Sequence, residues 1–180
     1  MNKILYHTKF LDLKYIITKN KKQWFYAHRP NANDVVIILP KTKDEVLFLI
    51  EERPPIQAEK IGKYSIGLPA GLVGDERIDE SIEEAIASEL LEETGLLAEK
   101  IEIKSSKVAS SAGCLSEIST IAIAHIKDKN IVQEPIDDDG VIVDRVWINK
   151  KDIKNWLNKK EKEGYILTAQ MLSALYYMNE

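Results

Sequence analysis

GLPAGLVGDERIDESIEEAIASELLEETGL, residues 67–96, carries the strongest local pattern in the chain. Its first part, GLPAGLVGD, is rich in glycine and punctuated by a proline, which is typical of a turn. Ser81 and Glu84 then have the spacing of a capping box, and Gly95 stands where a helix C-cap belongs. The segment therefore predicts a turn followed by a helix over residues 80–94.

One stripe of this helix begins apolar and ends acidic. Successive residues rotate by about 100° around a helix axis, so six residues fall on one side: Ile82, Ala85, Ile86, Glu89, Glu92 and Glu93. The apolar part of the stripe must face the body of the protein. The carboxylates continue the same line, so we expect them along the surface or in a cleft.

Three glutamates grouped in this way are unfavourable without a partner. Two carboxylates ~5.5 Å apart repel by roughly 3 kcal/mol at an effective dielectric of ~20, and they lie at the negative end of the helix dipole. A hard divalent cation reverses both effects, and oxygen ligands favour Mg²⁺ or Mn²⁺ over zinc. The alternative is an acidic face in contact with solvent. The glycine-rich segment upstream favours a site, because it lets backbone approach a phosphate or a metal.

Composition restricts the class of protein. A chain of 180 residues is expected to form one domain over residues 1–180. A net charge of −4 without a basic stripe argues against a nucleic-acid partner. The single cysteine, Cys114, excludes an intrachain disulfide and fits a reducing compartment. Since we find neither a signal peptide nor the ~20 apolar residues of a membrane span, we expect a cytoplasmic protein without a membrane partner.

Apolar runs and turn residues predict the other elements. Extended segments are expected over 11–18, 24–28, 35–39, 46–50, 64–68, 101–109, 118–126 and 141–148. Helices are expected over 151–160 and 168–178. Residues 51–63 are expected to be an irregular loop, because Pro54 and Pro55 exclude regular structure there. This order predicts an α/β or α+β domain with a mixed sheet and helices packed on it.

The central segment resembles the Nudix box. That pattern is glycine, five residues, glutamate, seven residues, then arginine-glutamate-apolar-any-glutamate-glutamate-any-glycine-apolar. Gly74, Glu80 and the run SELLEETGL at 88–96 match every fixed position except one, because Ser88 stands where the family has arginine. On this match the chain is identified as a member of the Nudix hydrolase superfamily, with its box at residues 74–96.

Segments outside the box resemble the ADP-ribose pyrophosphatase branch, so that the similarity covers about residues 20–178. They are WFYAHR at 24–29, ERPPI at 52–56, LPAGLVGD at 68–75, SSAGCLSE at 110–117 and GYILTAQMLSALYYM at 164–178. The resemblance implies an α/β/α sandwich with a mixed β-sheet and a catalytic loop-helix-loop. It also implies a homodimer, for which strands within about residues 1–45 are candidates.

The resemblance also assigns a metal site. Glu89 and Glu93 become the principal Mg²⁺ ligands, with Mn²⁺ as a possible replacement, and Glu92 supports them. The backbone carbonyl of Ala70 is a further ligand, and Glu80 has an accessory role. Gly71, in the same turn, belongs to the substrate-binding positions.

Substrate positions follow in the same way, and each has a structural alternative. Arg53 is expected to bind substrate, unless it is only a solvated loop charge. Trp24 is expected to stack on adenine, often across a dimer, unless it is a core or interface aromatic. Glu117 is expected at the substrate, unless it is a surface charge. A water-activating acid is expected among Glu134, Asp137, Asp138 and Asp139, with Glu134 and Asp138 preferred, unless DDDG is only a turn.

Two departures from the family pattern matter. Ser88 removes an arginine that braces a catalytic glutamate, and Arg77 or Lys63 is a candidate to replace it. Gly67 stands where the branch often has glutamate before LPAG.

The resemblance implies Mg²⁺-dependent hydrolysis of a nucleoside diphosphate derivative, with ADP-ribose giving AMP and ribose 5-phosphate. The alternatives are another Nudix substrate, such as an NDP-sugar, NADH or FAD, and a nucleotide-binding module in which Ser88 has weakened catalysis.

Overall fold

A computed structural model describes residues 2–31, 34–74, 77, 79–136 and 140–179. Along the chain these residues form β1 (Lys3–His7), β2 (Asp12–Ile17), β3 (Gln23–His28), β4 (Asp34–Lys41), β5 (Glu45–Glu51), α1 (Pro54–Ala58), β6 (Ser65–Gly67), β7 (Ala70–Val73), α2 (Ile82–Thr94), β8 (Lys100–Ala109), β9 (Ile118–His125), β10 (Ile142–Asn149), α3 (Ile153–Lys162), β11 (Ile166–Leu167) and α4 (Ala169–Leu175).

The larger sheet has the strand order β11-β6-β5-β4-β9-β8, with β10 also paired to β5 and β7 to β4. Strands β4 and β9 are parallel, as are β6 and β11. The other pairs of this sheet are antiparallel. The predicted mixed sheet is confirmed.

Helices cover both faces of this sheet. Side chains of a strand alternate between its faces, so Val36 and Ile38 of β4 join a different core from Ile37 and Leu39. The core that contains Val36 and Ile38 also includes buried residues of α2. The core that contains Ile37 and Leu39 includes buried residues of α3 and α4. The α/β/α sandwich implied by the resemblance is therefore confirmed.

Strands β1, β2 and β3 form a separate antiparallel sheet. It is tied to the segment before β9, because Ala27 accepts a hydrogen bond from the Ser116 N–H (3.1 Å) and donates to the Cys114 carbonyl (2.8 Å). The predicted strands at 11–18 and 24–28 are present. Strand β1 was not predicted, because all five of its residues are exposed and lack the alternation of a half-buried strand.

Two predictions around the prolines and glycines were wrong. Residues 51–63 include the short helix α1, which has prolines at its first positions. Proline is tolerated there because the first N–H groups of a helix have no partner within it. The segment predicted as a glycine turn contains β7, because residues 70–73 pair with β4.

Helix α2 begins and ends close to its predicted limits. The Ser81 hydroxyl accepts from the Glu84 N–H (3.2 Å), and the Glu84 carboxylate accepts from the Ser81 N–H (2.9 Å). Gly95 ends the helix with a φ of 70°, a conformation that favours glycine. Across the ranges that the structure describes, no helix has the length and apolar character needed to cross a membrane.

Candidate active site

A cleft of about 530 Å³ lies between α2, the ends of β5, β6 and β7, and the start of α4. Seven of the predicted site residues line it: Arg53, Ala70, Gly71, Glu89, Glu92, Glu93 and Glu117. The acidic end of α2 is therefore directed into a shared cleft. The alternative of a purely solvated acidic face does not describe this geometry.

Helix α2 contacts strand β7 through its glutamates. The N–H of Ala70 donates to Oε2 of Glu93 (3.0 Å). Glu89 lies so close to Gly71 that a Cβ added there would be 1.6 Å from Oε1 of Glu89. A residue with a side chain at position 71 would displace Glu89, which explains the glycine physically.

The pKa of the Glu93 carboxyl is strongly perturbed. This pKa is raised to about 8, chiefly by burial and in addition by the nearby charges of Glu89 and Glu51. The Ala70 N–H and the Arg53 guanidinium act in the opposite direction. Burial and like charge thus both disfavour the ionised form of Glu93, and a bound cation would offset both effects.

The donors fit a hard divalent cation in their chemistry. Glu89, Glu92 and Glu93 line the same cleft as Ala70, and all four offer oxygen, which Mg²⁺ and Mn²⁺ prefer. In their present positions, no three His, Cys, Asp or Glu side chains among the described residues are gathered closely enough to hold an ion. The carboxylates would therefore need to turn towards a bound ion.

Arg53 reaches the cleft with a partner that the sequence analysis missed. It forms an ion pair with Glu51, whose side chain is only 2% exposed, whereas that of Arg53 is 41% exposed. Glu51 also lines the cleft. A glutamate at the end of the otherwise apolar run VLFLIE was a usable signal, because buried carboxylates need a partner.

Glu117 also has a cationic partner in the cleft. Nε of Arg29 donates to Oε2 of Glu117 (2.8 Å), and both residues line the cleft. Ser110 donates a hydrogen bond to the other carboxylate oxygen of Glu117 (3.2 Å). Arg29 was not predicted as a site residue, although it ends the quoted segment WFYAHR.

Trp24 and Glu134 are not cleft-lining residues. Trp24 lies on β3 and is 52% exposed, and its indole N–H donates to the Gly113 carbonyl (2.8 Å). Glu134 is exposed. Asp137, Asp138 and Asp139 lie outside the described residues, so the structure places none of these three candidates.

The segment that carries Glu134 is nevertheless attached to the end of α2. The N–H of Ile136 donates to the Glu92 carbonyl (2.7 Å), and the N–H of Val132 donates to the Gly95 carbonyl (2.9 Å). Nε of Arg145, on β10, donates to the Glu93 carbonyl. These bonds satisfy carbonyls that a helix end leaves without partners, and Arg145 brings a cation to its negative pole.

The serine in place of the box arginine has a cation beside it. Nη2 of Arg77 lies 3.5 Å from Oγ of Ser88 and 3.0 Å from Oε1 of Glu80. The Glu80 side chain is only 5% exposed and accepts from the Gly74 N–H (3.3 Å). Lys63, the other candidate, lies over the Tyr64 ring. Of the two cations, Arg77 is the one that contacts Ser88.

The family model of the NUDIX domain matches residues 29–169. The chain belongs to the Nudix domain family. The Nudix prediction made from the box is thus confirmed, and the protein is placed among the Nudix hydrolases, which act on small nucleotide substrates. Its fold is similar to that of a solved structure titled "Crystal structure of ADP compounds hydrolase", with a TM-score of 0.73 and 19% identity over 99% of this chain and 90% of that one. A search of curated proteins finds no match.

Proposed function

We propose that this Nudix hydrolase cleaves the pyrophosphate of a nucleoside diphosphate derivative with the help of Mg²⁺, and that ADP-ribose is its substrate. The products would be AMP and ribose 5-phosphate. The observation that carries the proposal is that Glu89 and Glu93 lie against the Ala70–Gly71 backbone, with Glu92 lining the same cleft. Mn²⁺ is the natural substitute ion for the same oxygen donors.

The site residues have two roles in the proposed reaction, which are to hold a charge-neutralising ion and to position the substrate. Glu89, Glu92, Glu93 and the Ala70 carbonyl would hold Mg²⁺, which when bound neutralises pyrophosphate charge and lowers the pKa of water. Arg53, on the cleft wall, donates to a phosphate oxygen and orients the substrate, since guanidinium groups bind phosphate in a fixed geometry. Gly71, whose missing side chain leaves room for Glu89, would contact the substrate through its backbone.

An acidic group is needed to position or deprotonate the attacking water. We assign this role to the segment that contains Glu134 and Asp138. Its attachment to α2 through Val132 and Ile136 supports the assignment, because it fixes the start of the segment beside the acidic end of the helix. Ile136 already lines the cleft.

The choice of ADP-ribose is supported by two features, and the size of the cleft is compatible with it. The segments at 24–29, 52–56 and 110–117 resemble the ADP-ribose pyrophosphatase branch. The structural neighbour is named for ADP compounds. The cleft of about 530 Å³ is within the range of small-molecule sites, although its size alone does not separate ADP-ribose from an NDP-sugar.

A substrate panel tests this function. Purified protein with Mg²⁺ is given ADP-ribose, an NDP-sugar, NADH and FAD, and released nucleotide is quantified by chromatography. We expect the highest kcat/KM for ADP-ribose and no turnover with a chelator. A tenfold preference for another compound would overturn the choice of substrate. Tight ADP-ribose binding without hydrolysis would instead support a nucleotide-binding module.

We also propose that the chain works in the cytoplasm as a homodimer formed through the β1–β3 sheet. This sheet and its turns expose many large apolar side chains: Ile4, Leu5, Tyr6, Phe10, Leu11, Leu13, Ile17, Trp24 and Phe25. So many exposed apolar side chains in one small sheet are typical of a surface that binds a partner. In a dimer, Trp24 of one protomer could stack on the adenine bound by its partner, as the branch resemblance implies.

A further inference from the structure

Strands β5 and β6 place Glu51 and Gly67 on the same face of the sheet. In this antiparallel pair Leu49 is opposite Gly67 and Glu51 is opposite Ser65. Because side chains alternate along each strand, positions 51 and 67 are diagonal neighbours. A Cβ added at Gly67 would lie 2.6 Å from Oε2 of Glu51 and 3.4 Å from its Cδ. The Glu51 carboxylate thus occupies the space that a side chain at position 67 would need.

Space, and not backbone conformation, explains the glycine at position 67. Gly67 is absent from the described residues with positive φ, so other residues could adopt its backbone. A carboxylate at the end of a flexible side chain can normally move away from a clash. Here the Glu51 side chain is 2% exposed and paired with Arg53. Moving it would therefore disturb the ion pair inside the sheet.

We propose that Glu51 is a positioning residue that acts through Arg53, and that Gly67 is required to leave room for it. Glu51 accepts one hydrogen bond from Nη2 of Arg53, which leaves the other N–H groups of the guanidinium for an anionic substrate. Arg53 follows the end of β5 and is 41% exposed, so without Glu51 its side chain samples many rotamers. The role of Arg53 in binding an anionic substrate rests on the proposed function, whereas the spatial link between Glu51 and Gly67 does not.

Steady-state kinetics on the best substrate of the panel, at saturating Mg²⁺, test the positioning role. Glu51→Ala should raise KM about tenfold, because the cost of ordering one long side chain on binding weakens affinity by roughly tenfold. Its kcat should stay within about threefold of wild type, because positioning affects substrate binding first. Glu51→Gln keeps an acceptor for Arg53 and should restore most of the lost affinity.

A double-mutant cycle separates action through Arg53 from a direct effect. In the Arg53→Ala background, adding Glu51→Ala should leave KM unchanged, because residues that act together are not additive. An equal rise of KM in both backgrounds would show that Glu51 does not act through Arg53. A fall in kcat without a change in KM would also overturn the positioning role.

Thermal unfolding tests the requirement for glycine and needs no substrate. Gly67→Ala should lower the Tm, whereas the same substitution in the Glu51→Ala background should lower it little. Gly113→Ala is the matched control, because a Cβ there meets nothing within 4 Å. An equal loss at position 67 in both backgrounds would refute the spatial link. If the wild-type protein were inactive on every compound of the panel, the proposed function would be contradicted. The unfolding measurements would still decide whether Gly67 is needed to leave room for Glu51.

Discussion

At Glu93, burial and like charge act on the pKa in the same direction. Its pKa is raised to about 8, whereas an exposed glutamate titrates near ~4.3. The raised value follows first from burial and then from Glu89 and Glu51. A carboxyl in this state takes up a cation only by giving up its proton, so metal binding and proton release are linked.

This linkage predicts how stability depends on pH. The folded-state pKa lies above the unfolded one, so the stabilisation from Glu93 is complete below the unfolded pKa and is lost as pH rises through about 8. Without divalent ions, the Tm should therefore fall between about pH 5 and about pH 9, and less so in Glu93→Gln. Mg²⁺ should reduce the fall in the Tm of the wild-type protein with pH, because the ion favours the charged carboxylate. Parallel pH profiles for the two proteins would contradict this explanation.

Arg77 is predicted to replace part of the function of the missing box arginine. It contacts both Glu80 and Ser88, and thereby links the segment before α2 to the helix. Arg77→Ala should lower kcat/KM roughly tenfold, which is typical when a supporting contact of a site is lost. Lys63→Ala is the control and should retain the wild-type value, because Lys63 lies over Tyr64. Equal values for the two variants would refute a role for Arg77.

For individual residues, the sequence predicted contacts within one helix or strand better than contacts between different elements. The clustering of Glu89, Glu92 and Glu93 follows from helical periodicity alone. Arg29 was missed because its contact with Glu117 depends on packing of the N-terminal sheet, which local spacing does not show. Glu51 is only two residues from Arg53, but its burial depends on the pairing of β5 with β6 and β10.

Helix α2 is the element that connects the fold to the site. Its N-terminal half is buried against the sheet through Ala85 and Ile86, and its C-terminal half enters the cleft. Its last carbonyls are bonded by Arg145, Val132 and Ile136. The end of the helix is thus fixed by residues that come much later in the chain.

Gly95 is predicted to be essential at this helix end. A Cβ there would lie 2.4 Å from the Gln133 carbonyl oxygen, and the φ is +70°. Gly95→Ala should lower the free energy of unfolding by about 3 kcal/mol, since a backbone clash adds to the strain of positive φ. Gly164→Ala is the matched control, because it also has positive φ but open space; it should lose only about 1 kcal/mol. Equal losses in chemical denaturation would show that the clash is unimportant.

The elements themselves differ in how well sequence predicts them. Residues 35–39, 46–50 and 118–126 were predicted as strands because continuous apolar runs are typical of a sheet buried on both faces. Strands β1 and β7 and helix α1 were missed. These three elements are short. Their formation depends on pairing with neighbouring strands or on prolines at a helix start, and not on a hydrophobic pattern of their own.

For the whole molecule, the exposed apolar surface of the β1–β3 sheet predicts self-association. Light scattering after gel filtration should give about twice the chain mass of 20.5 kDa. Replacing Tyr6 and Phe10, which are 67% and 70% exposed, by lysine should give monomers because buried charges oppose association. Tyr176→Lys is the control, because Tyr176 is 78% exposed but lies after α4. A monomeric wild type would contradict the proposed dimer.

The architecture of the molecule also explains why a net negative protein can bind an anionic substrate. Arg29 and Arg53 line the same cleft as the acidic end of α2. A divalent ion among the glutamates would make that end attractive to phosphate as well. The family pattern predicted the sandwich, but it did not predict that Trp24 lies outside the cleft of the single chain.

The turnover of ADP-ribose by Glu93→Gln in saturating Mg²⁺ is the most direct measurement, with Glu83→Gln, an exposed glutamate of the same helix, as the control. If Glu93 holds the ion as proposed, its loss should lower kcat by at least about 100-fold, because the ion would supply most of the charge stabilisation. Glu83→Gln should retain wild-type kcat. A Glu93→Gln protein with full Mg²⁺-dependent turnover would contradict the account.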